Sequence, residues 1–245
     1  MVVFFITFFS IALLEIEELN TSVINKSLNK SFYLNPAYLI KENKNILFFS
    51  YTNPYKITSL NYFNCQIKFR NFGLLIQNLY YPNYNENRFS FIYANNIKNF
   101  SYGFSPNFCY FKITNIGDFF FAYHLGFLYH FEKLSFSLAM FNINRPKIWN
   151  EEIKEKLAFG IDLKFIKNLL ISLCYLKTKE DEQFKIGFDF QFNKNISFGQ
   201  EFNFPFFATN FKFDLLIKEP FGIYYFLNFH YRLKDTHSLA LYFQW

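Results

Sequence analysis

Cysteine is scarce: Cys65, Cys109 and Cys174 are the three in 245 residues, an odd number set far apart. The close pairs that a zinc site or a redox motif requires are missing, so each reads as a small apolar filler. Runs of basic residues are missing too. The net charge is +6, but the lysines and arginines are scattered and form no basic helix, which excludes nucleic acid as a partner. Beyond the N-terminus no segment reaches the roughly 18 uninterrupted apolar residues of a membrane helix, so a chain of this kind that spans a membrane must do so with strands. Catalytic signatures are absent as well. There is no Gly-x-Ser-x-Gly elbow, phosphate loop or Cys/His nucleophile arrangement, and the chain reads as a non-enzyme with no catalytic residue and no cofactor. His124 and His130 share a strand face but lack a third ligand at a defined spacing, so no metal site is expected. His230 and His237 flank the last hairpin, where capping or interfacial roles suit them.

What the chain does have is phenylalanine. There are 40, aromatic residues make up 24% and charged residues 18%, and the mean hydropathy is near zero. These figures exclude a disordered tail and allow one large domain. A biased genome could also enrich Phe, so the arrangement of the residues must carry the argument. In "QFKIGFDFQFN", Phe184, Ile186, Phe188, Phe190 and Phe192 alternate without error with Gln183, Lys185, Gly187, Asp189, Gln191 and Asn193. Successive side chains of an extended chain point to opposite faces, so this is a strand with one apolar and one wet face.

The pattern recurs along most of the chain after residue 45. Phe119, Phe121, Tyr123, Leu125, Phe127, Tyr129 and Phe131 alternate with Phe120, Ala122, His124, Gly126, Leu128 and His130. Phe159, Ile161, Leu163 and Phe165 alternate with Ala158, Gly160, Asp162 and Lys164, and comparable sets follow around Phe198, Phe213 and Tyr225. Short turn signals such as Asn53-Pro54, Pro82-Asn83, Asn115 to Gly117, Lys179 to Glu182 and Lys234-Asp235 separate the runs. The reading is a chain of antiparallel hairpins with about fourteen or fifteen strands, each near the length of about 9–11 residues that crosses a bilayer. The one long connection spans about 143 to 156, and its "EEIKEKL" reads as a short solvated helical turn.

A soluble sandwich and a membrane barrel both alternate. A soluble protein of this length should carry strands apolar on both faces at its centre and many Lys and Glu on exposed faces. Here the polar faces are instead rich in Gly, Ser, Ala, Asn and Gln, which suits a lumen, while aromatics at strand ends suit interfacial girdles. The expected fold is therefore all-β: a single transmembrane antiparallel up-and-down barrel of about 14 strands over residues 46–245. Its inward polar residues would include Asp162, Lys164, Lys185, Asp189, Glu201, His230 and Arg232, either lining a passage or filling the interior as paired structural charges.

The two ends of the chain carry their own signals. Val2 to Leu14, "VVFFITFFSIALL", has the length of a signal-peptide core or an anchor, although no Lys or Arg precedes it and Glu15, Glu17 and Glu18 follow. At the other end Leu239, Leu241, Phe243 and the last residue, Trp245, share one face. This terminal strand resembles the signal by which bacterial outer-membrane barrels are recognised for insertion, which implies the barrel-assembly machinery as a partner.

Several segments together resemble one family. "LNPAYL" (Leu34 to Leu39) is similar to the Asn-Pro-Ala segment near the mature N-terminus of FadL-type transporters and the related PorV/PorQ outer-membrane proteins. "SLAMFNINRPKI" (Ser137 to Ile148) is similar to a strand of these families that ends in Asn and a Pro-containing turn. The likeness continues through "LAFGIDL", "KIGFDFQFNKNISFGQEFNFP" and the final "FHYRLKDTHSLALYFQW". Lys234 stands where the family usually has Gly, and the Gly- and Ala-rich stretch before Asn35, Pro36 and Ala37 is missing. The resemblance implies a barrel in the outer membrane of a diderm bacterium, with residues about 15–45 tucked inside as a hatch anchored at Asn35-Pro36-Ala37. It also implies one of two functions: a transporter of small, hydrophobic molecules, or an accessory barrel that docks secreted proteins.

Removing Trp245 is expected to reduce the fraction of chain that inserts as a folded barrel, measured as the heat-modifiable band in membrane fractions. An unchanged fraction would reduce the C-terminal pattern to an ordinary last strand.

Overall fold

The computed structural model describes residues 35–41, 43–149, 151–178, 182–204, 208–229 and 235–245. The apolar segment 2–14 and the first part of the expected hatch, 15–34, lie outside the described residues, as do His230 and Arg232. The strands are β1 (Ile46–Asn53), β2 (Asn61–Phe69), β3 (Phe72–Tyr81), β4 (Tyr84–Ile97), β5 (Phe100–Ile113), β6 (Ile116–Phe131) and β7 (Leu134–Phe141). After them come β8 (Lys147–Ile148), β9 (Glu151–Glu152), β10 (Lys156–Ile166), β11 (Leu169–Lys177) and β12 (Glu182–Gln191). The chain ends with β13 (Ile196–Phe204), β14 (Ala208–Lys218), β15 (Phe221–Phe229) and β16 (Thr236–Gln244). Fourteen of them close one antiparallel barrel in which each strand pairs with its neighbours in sequence; β8 and β9 form a separate two-stranded sheet, so β7 pairs directly with β10. The barrel closes where β1 meets β16, in register from Ile46 opposite Gln244 to Asn53 opposite His237.

The faces follow the alternation. On β12, Phe184, Phe188 and Phe190 are exposed, whereas Lys185, Gly187 and Asp189 are buried. On β6, Phe119, Phe121 and Tyr123 point out while Phe120, Ala122 and His124 point in. The same division holds on β16, with Leu239 and Leu241 outside and Ser238, Ala240 and Tyr242 inside. This inverts the ordinary arrangement of a protein in water, where large apolar side chains collect inside and a contiguous apolar surface is rarely more than a few hundred Å². Around this barrel the exposed apolar side chains form a belt that nothing among the described residues covers. Rings on neighbouring strands pack within that belt, as Phe108 does with Phe121 at 5.2 Å and Phe72 with Tyr93 at 5.3 Å between centroids.

The two rims differ. At the rim where β1 begins and β16 ends, here the proximal rim, the turns are 70–71, 98–99, 132–133, 167–168, 192–195 and 219–220. At the opposite, distal rim the connections include the longer segments 54–60 and 142–155. Three of the tight proximal turns put a non-glycine residue in the left-handed region, Arg70 (φ 53°), Lys98 (φ 55°) and Glu132 (φ 45°). Glycine is the residue that this position favours, and the chain has 8 in all. The inside of the barrel uses several of them, as the plug below requires.

If the belt faces lipid, Phe188→Arg should destabilise the inserted barrel by about 2–4 kcal/mol near the bilayer midplane, while Asp189→Asn should leave insertion intact. Urea titration of folded chain in liposomes would measure both. Equal tolerance at the two positions would contradict this assignment of faces.

Candidate functional site

A 3₁₀ segment, Pro36–Lys41, lies inside the barrel against β4, β5 and β6. Asn35 organises its start. Its Oδ1 accepts the backbone N–H of Ala37 at 3.0 Å, and its Nδ2 donates to the carbonyls of Phe127 (3.3 Å) and Leu138 (3.4 Å) on the wall. The segment approaches the wall closely because one row of the inner face has almost no side chains. Gly103 stands opposite Gly126, Ala94 opposite Gly103, Ala139 opposite Gly126 and Ala158 opposite Ala139, five strands in one register line. A Cβ on Gly126 would lie 2.1 Å from Asn35 Oδ1, and one on Gly103 would lie 2.4 Å from the carbonyl carbon of Pro36. Glycine is needed at both positions for this contact rather than for turn geometry.

Side chains complete the seat. Leu39 packs with Ile92 and Ala94, and Ala37 and Tyr38 pack with Leu128. The Tyr38 hydroxyl donates to Asp162 Oδ2 at 3.0 Å, and the other oxygen of Asp162 accepts from the Ser172 hydroxyl at 2.9 Å. A carboxylate buried to this extent is tolerable only with such donors. Lys41 Nζ sits 4.7 Å from the centre of the Tyr38 ring. The structure thus brings Asp162 to the Asn35-Pro36-Ala37 segment through Tyr38, 124 residues earlier in the sequence.

Of the other inward residues expected from the sequence, Lys185, Asp189 and Glu201 are buried on the inner face. Asp162, Ser172, Gly187, Glu201, Asn210 and Asn228 follow one another across six strands in register. Glu201 accepts from Asn210 Nδ2 at 3.0 Å and lies 3.7 Å from Lys212 Nζ, while Asn228 in turn donates to Asn210. Lys164 differs from its neighbours: it is exposed at the proximal mouth, where with Lys167, Lys194, Asp189 and Asp214 it lines a polar recess of about 320 Å³. The strand pattern alone did not single out the polar layer on the other side of the barrel. There Gln77 donates to the Tyr62 hydroxyl at 2.6 Å, Tyr84 donates to Glu86 at 2.9 Å, and Ser90 donates to Asn107. The signal was present in the same alternation, since Arg88 and Ser90 take turns with the outward Phe89 and Phe91.

The distal mouth is closed differently. The segment after β7 does not form the helical turn expected for "EEIKEKL". Lys147–Ile148 and Glu151–Glu152 instead pair as a small antiparallel sheet, because Ile148, Trp149 and Ile153 have an apolar surface to fold onto. Ile148 is buried with Leu60, Tyr62, Tyr84, Phe111 and Phe120, and Trp149 and Ile153 pack at the edge of this cluster. The backbone N–H of Trp149 donates to Asp118 Oδ2 at 2.7 Å, the backbone N–H of Asn142 donates to His124 Nδ1 at 3.2 Å, and Arg145 pairs with Glu155. Between the two closures Leu75 of β3 packs with Phe141, Ala158 and Leu176 from the facing wall. Among the described residues no three His, Cys, Asp or Glu side chains are grouped to hold a metal ion.

No family model and no curated protein sequence matches the chain. Solved structures do. The CymD monoaromatic hydrocarbon channel superposes with a TM-score of 0.58 at 10% identity, covering 88% of this chain and 91% of that one. The toluene transporter TodX of Pseudomonas putida superposes with a TM-score of 0.60 at 8% identity, covering 88% and 93%. At such identities the likeness establishes a shared barrel fold over nearly the whole of each chain.

Filling the cradle tests the seat. Gly126→Leu should expel the Asn35–Lys41 segment while leaving the barrel heat-modifiable, and limited proteolysis should then cut within 35–41. Continued protection of that segment would mean that the glycine row does not hold it.

Proposed function

We propose that the chain is an outer-membrane channel of a diderm bacterium for small, hydrophobic molecules, held shut by its own N-terminal segment. The observation that carries this reading is the seating of Pro36–Lys41 on the glycine and alanine row: a removable backbone segment, not a wall of large side chains, fills that part of the lumen. The outward aromatic belt supports a lipid environment, since lipid tolerates a span only when every backbone polar group is bonded within it, as a closed barrel provides. The shared fold with channels described for monoaromatic hydrocarbons and toluene points the same way, as does the apolar cluster beneath the distal closure, a surface suited to an apolar solute.

In this reading the short turns of the proximal rim face the periplasm and the longer distal connections face outward, the usual arrangement of such barrels. Asp162, Lys185, Asp189 and Glu201 line the interior, with Lys164 at its proximal mouth. Leu239, Leu241, Phe243 and Trp245 form the face read by the assembly machinery. The resemblance to PorV/PorQ proteins offers docking of secreted proteins instead, but the described connections other than 54–60 and 142–155 are short and present little surface for a protein partner.

Deleting residues 20–40 should raise single-channel conductance in planar bilayers and speed uptake of toluene into liposomes. Unchanged values for both would remove the plug from the account; conductance that rises without faster toluene uptake would keep the channel but reject its hydrophobic substrate.

A further inference from the structure

The outer wall carries a feature that a channel does not need. Between two outward rows of side chains runs an apolar groove of about 500 Å³. One row comprises Tyr129, Phe136, Ile161 and Leu173, which stand opposite one another on β6, β7, β10 and β11. The other row comprises Phe127, Leu138, Phe159, Tyr175 and Phe184. The floor is the backbone at Leu128, Ser137, Gly160 and Cys174, whose side chains turn inward or, at Gly160, do not exist. Because the strands of a barrel are tilted by about 35–45°, a groove that runs across them descends obliquely from the rim into the apolar belt.

The upper end of this groove meets positive charge. Phe100, stacked on Phe127 at 6.1 Å, lies just after the turn that holds Lys98. That turn abuts the next one, which holds Lys133, through the His130 N–H donating to the Asn99 carbonyl at 2.9 Å. Both lysines are exposed. They belong to a larger set: every proximal turn has a basic residue in it or next to it, Arg70, Lys98, Lys133, Lys167, Lys194 and Lys218, all exposed. Among the described residues the acidic side chains in those turns are Glu132 and Glu219, and Glu219 is paired with Lys44 at 2.9 Å. At the distal rim, by contrast, several of the described cations pair with acids, Lys56 with Asp235, Arg145 with Glu155 and Lys177 with Glu182. Hairpins of one rim stand about two strand spacings apart, roughly 10 Å, so neighbouring cations lie within about one Debye length and reinforce one another. Exposed aromatic or aliphatic residues sit beside them, such as Phe69 and Phe72 around Arg70 and Ile97 and Phe100 around Lys98. That sequence of apolar ring and then cation matches the boundary between acyl chains and phosphates.

We propose that the wall from β5 to β12 is a binding seat for an anionic phospholipid, with its phosphate held by Lys98 and Lys133 and one acyl chain lying in the groove. The inference rests on the membrane reading given above. A bound anionic lipid there would fix the depth and tilt of the barrel beside the plug, since Gly126 and Ala139 of the plug seat stand on the same two strands as Tyr129 and Phe136. The groove and the lysines together select a lipid rather than a free phosphate, because only a lipid fills both.

The test uses the full chain. Heat-modifiability in neutral phosphatidylcholine liposomes reports the barrel itself, so a failure there would count against the membrane reading and not against the seat. Native mass spectrometry of the folded chain, with phosphatidylglycerol and phosphatidylcholine at equal concentration, then reads the lipid preference. The wild type should retain phosphatidylglycerol over phosphatidylcholine on the order of tenfold. The double variant Lys98→Gln/Lys133→Gln should lose that preference, and the distal control Lys112→Gln/Lys147→Gln should keep it. Leu138→Trp, which fills the groove without changing charge, should reduce retention of both lipids. Equal retention of the two lipids by the wild type would overturn the proposal, as would a preference that survives both sets of changes. Displacement of the lipid by glycerol phosphate at equal concentration would also overturn it, because a headgroup alone would then suffice.

Discussion

The pairing of β1 with β16 is the contact on which the rest depends. An open sheet of fourteen strands would leave two edges of unbonded N–H and C=O groups, and in an apolar medium each such group costs several kcal/mol. Closure removes both edges at once. It then allows the outer face to be almost wholly aromatic and aliphatic, because no backbone group there needs water. It also encloses a volume that the same chain must fill from within.

That filling is done by three devices with different physics. At one level the wall is reduced to glycine and alanine so that a backbone segment can lie on it, anchored through Asn35 and through Tyr38 on Asp162. Around it lie buried Gln, Asn, Ser and charged side chains, part of them bonded in chains such as Asn228 to Asn210 to Glu201. At the distal mouth the chain folds its own longest connection inward over an apolar cluster. The first and third closures use segments that are not strands of the barrel, whereas the polar layer belongs to the strands themselves. The proposed gated passage rests on this difference between filling by separate segments and filling by the wall.

The rims add a directional element. Among the described residues, several cations of the distal rim are paired with acids, whereas the turns of the proximal rim carry an excess of exposed cations. In the proposed membrane setting, that asymmetry and the adjoining apolar ring would orient the molecule across the boundary between hydrocarbon and phosphate.

Much of this was legible in the chain itself. A period of two is a local property, so the division of Phe188 from Asp189, or of Leu241 from Tyr242, could be read from residues next to each other. The approximate number of strands followed from the spacing of turn residues, and the Asn35-Pro36-Ala37 segment could be picked out by its resemblance to a plug. What sequence reading missed depends on register summed around the barrel. Nothing local says that Ala94, Gly103, Gly126, Ala139 and Ala158 form one line, that Tyr38 reaches Asp162, or that Glu201 meets Lys212. The fold of 147–152 as a strand pair instead of a helical turn had the same origin, since its apolar residues find their partners on β2 to β6. Facing was determined by the sequence alone because each residue's side is set by its neighbours; the interior was decided only by tertiary structure, because strand tilt and stagger choose which distant residues share a level.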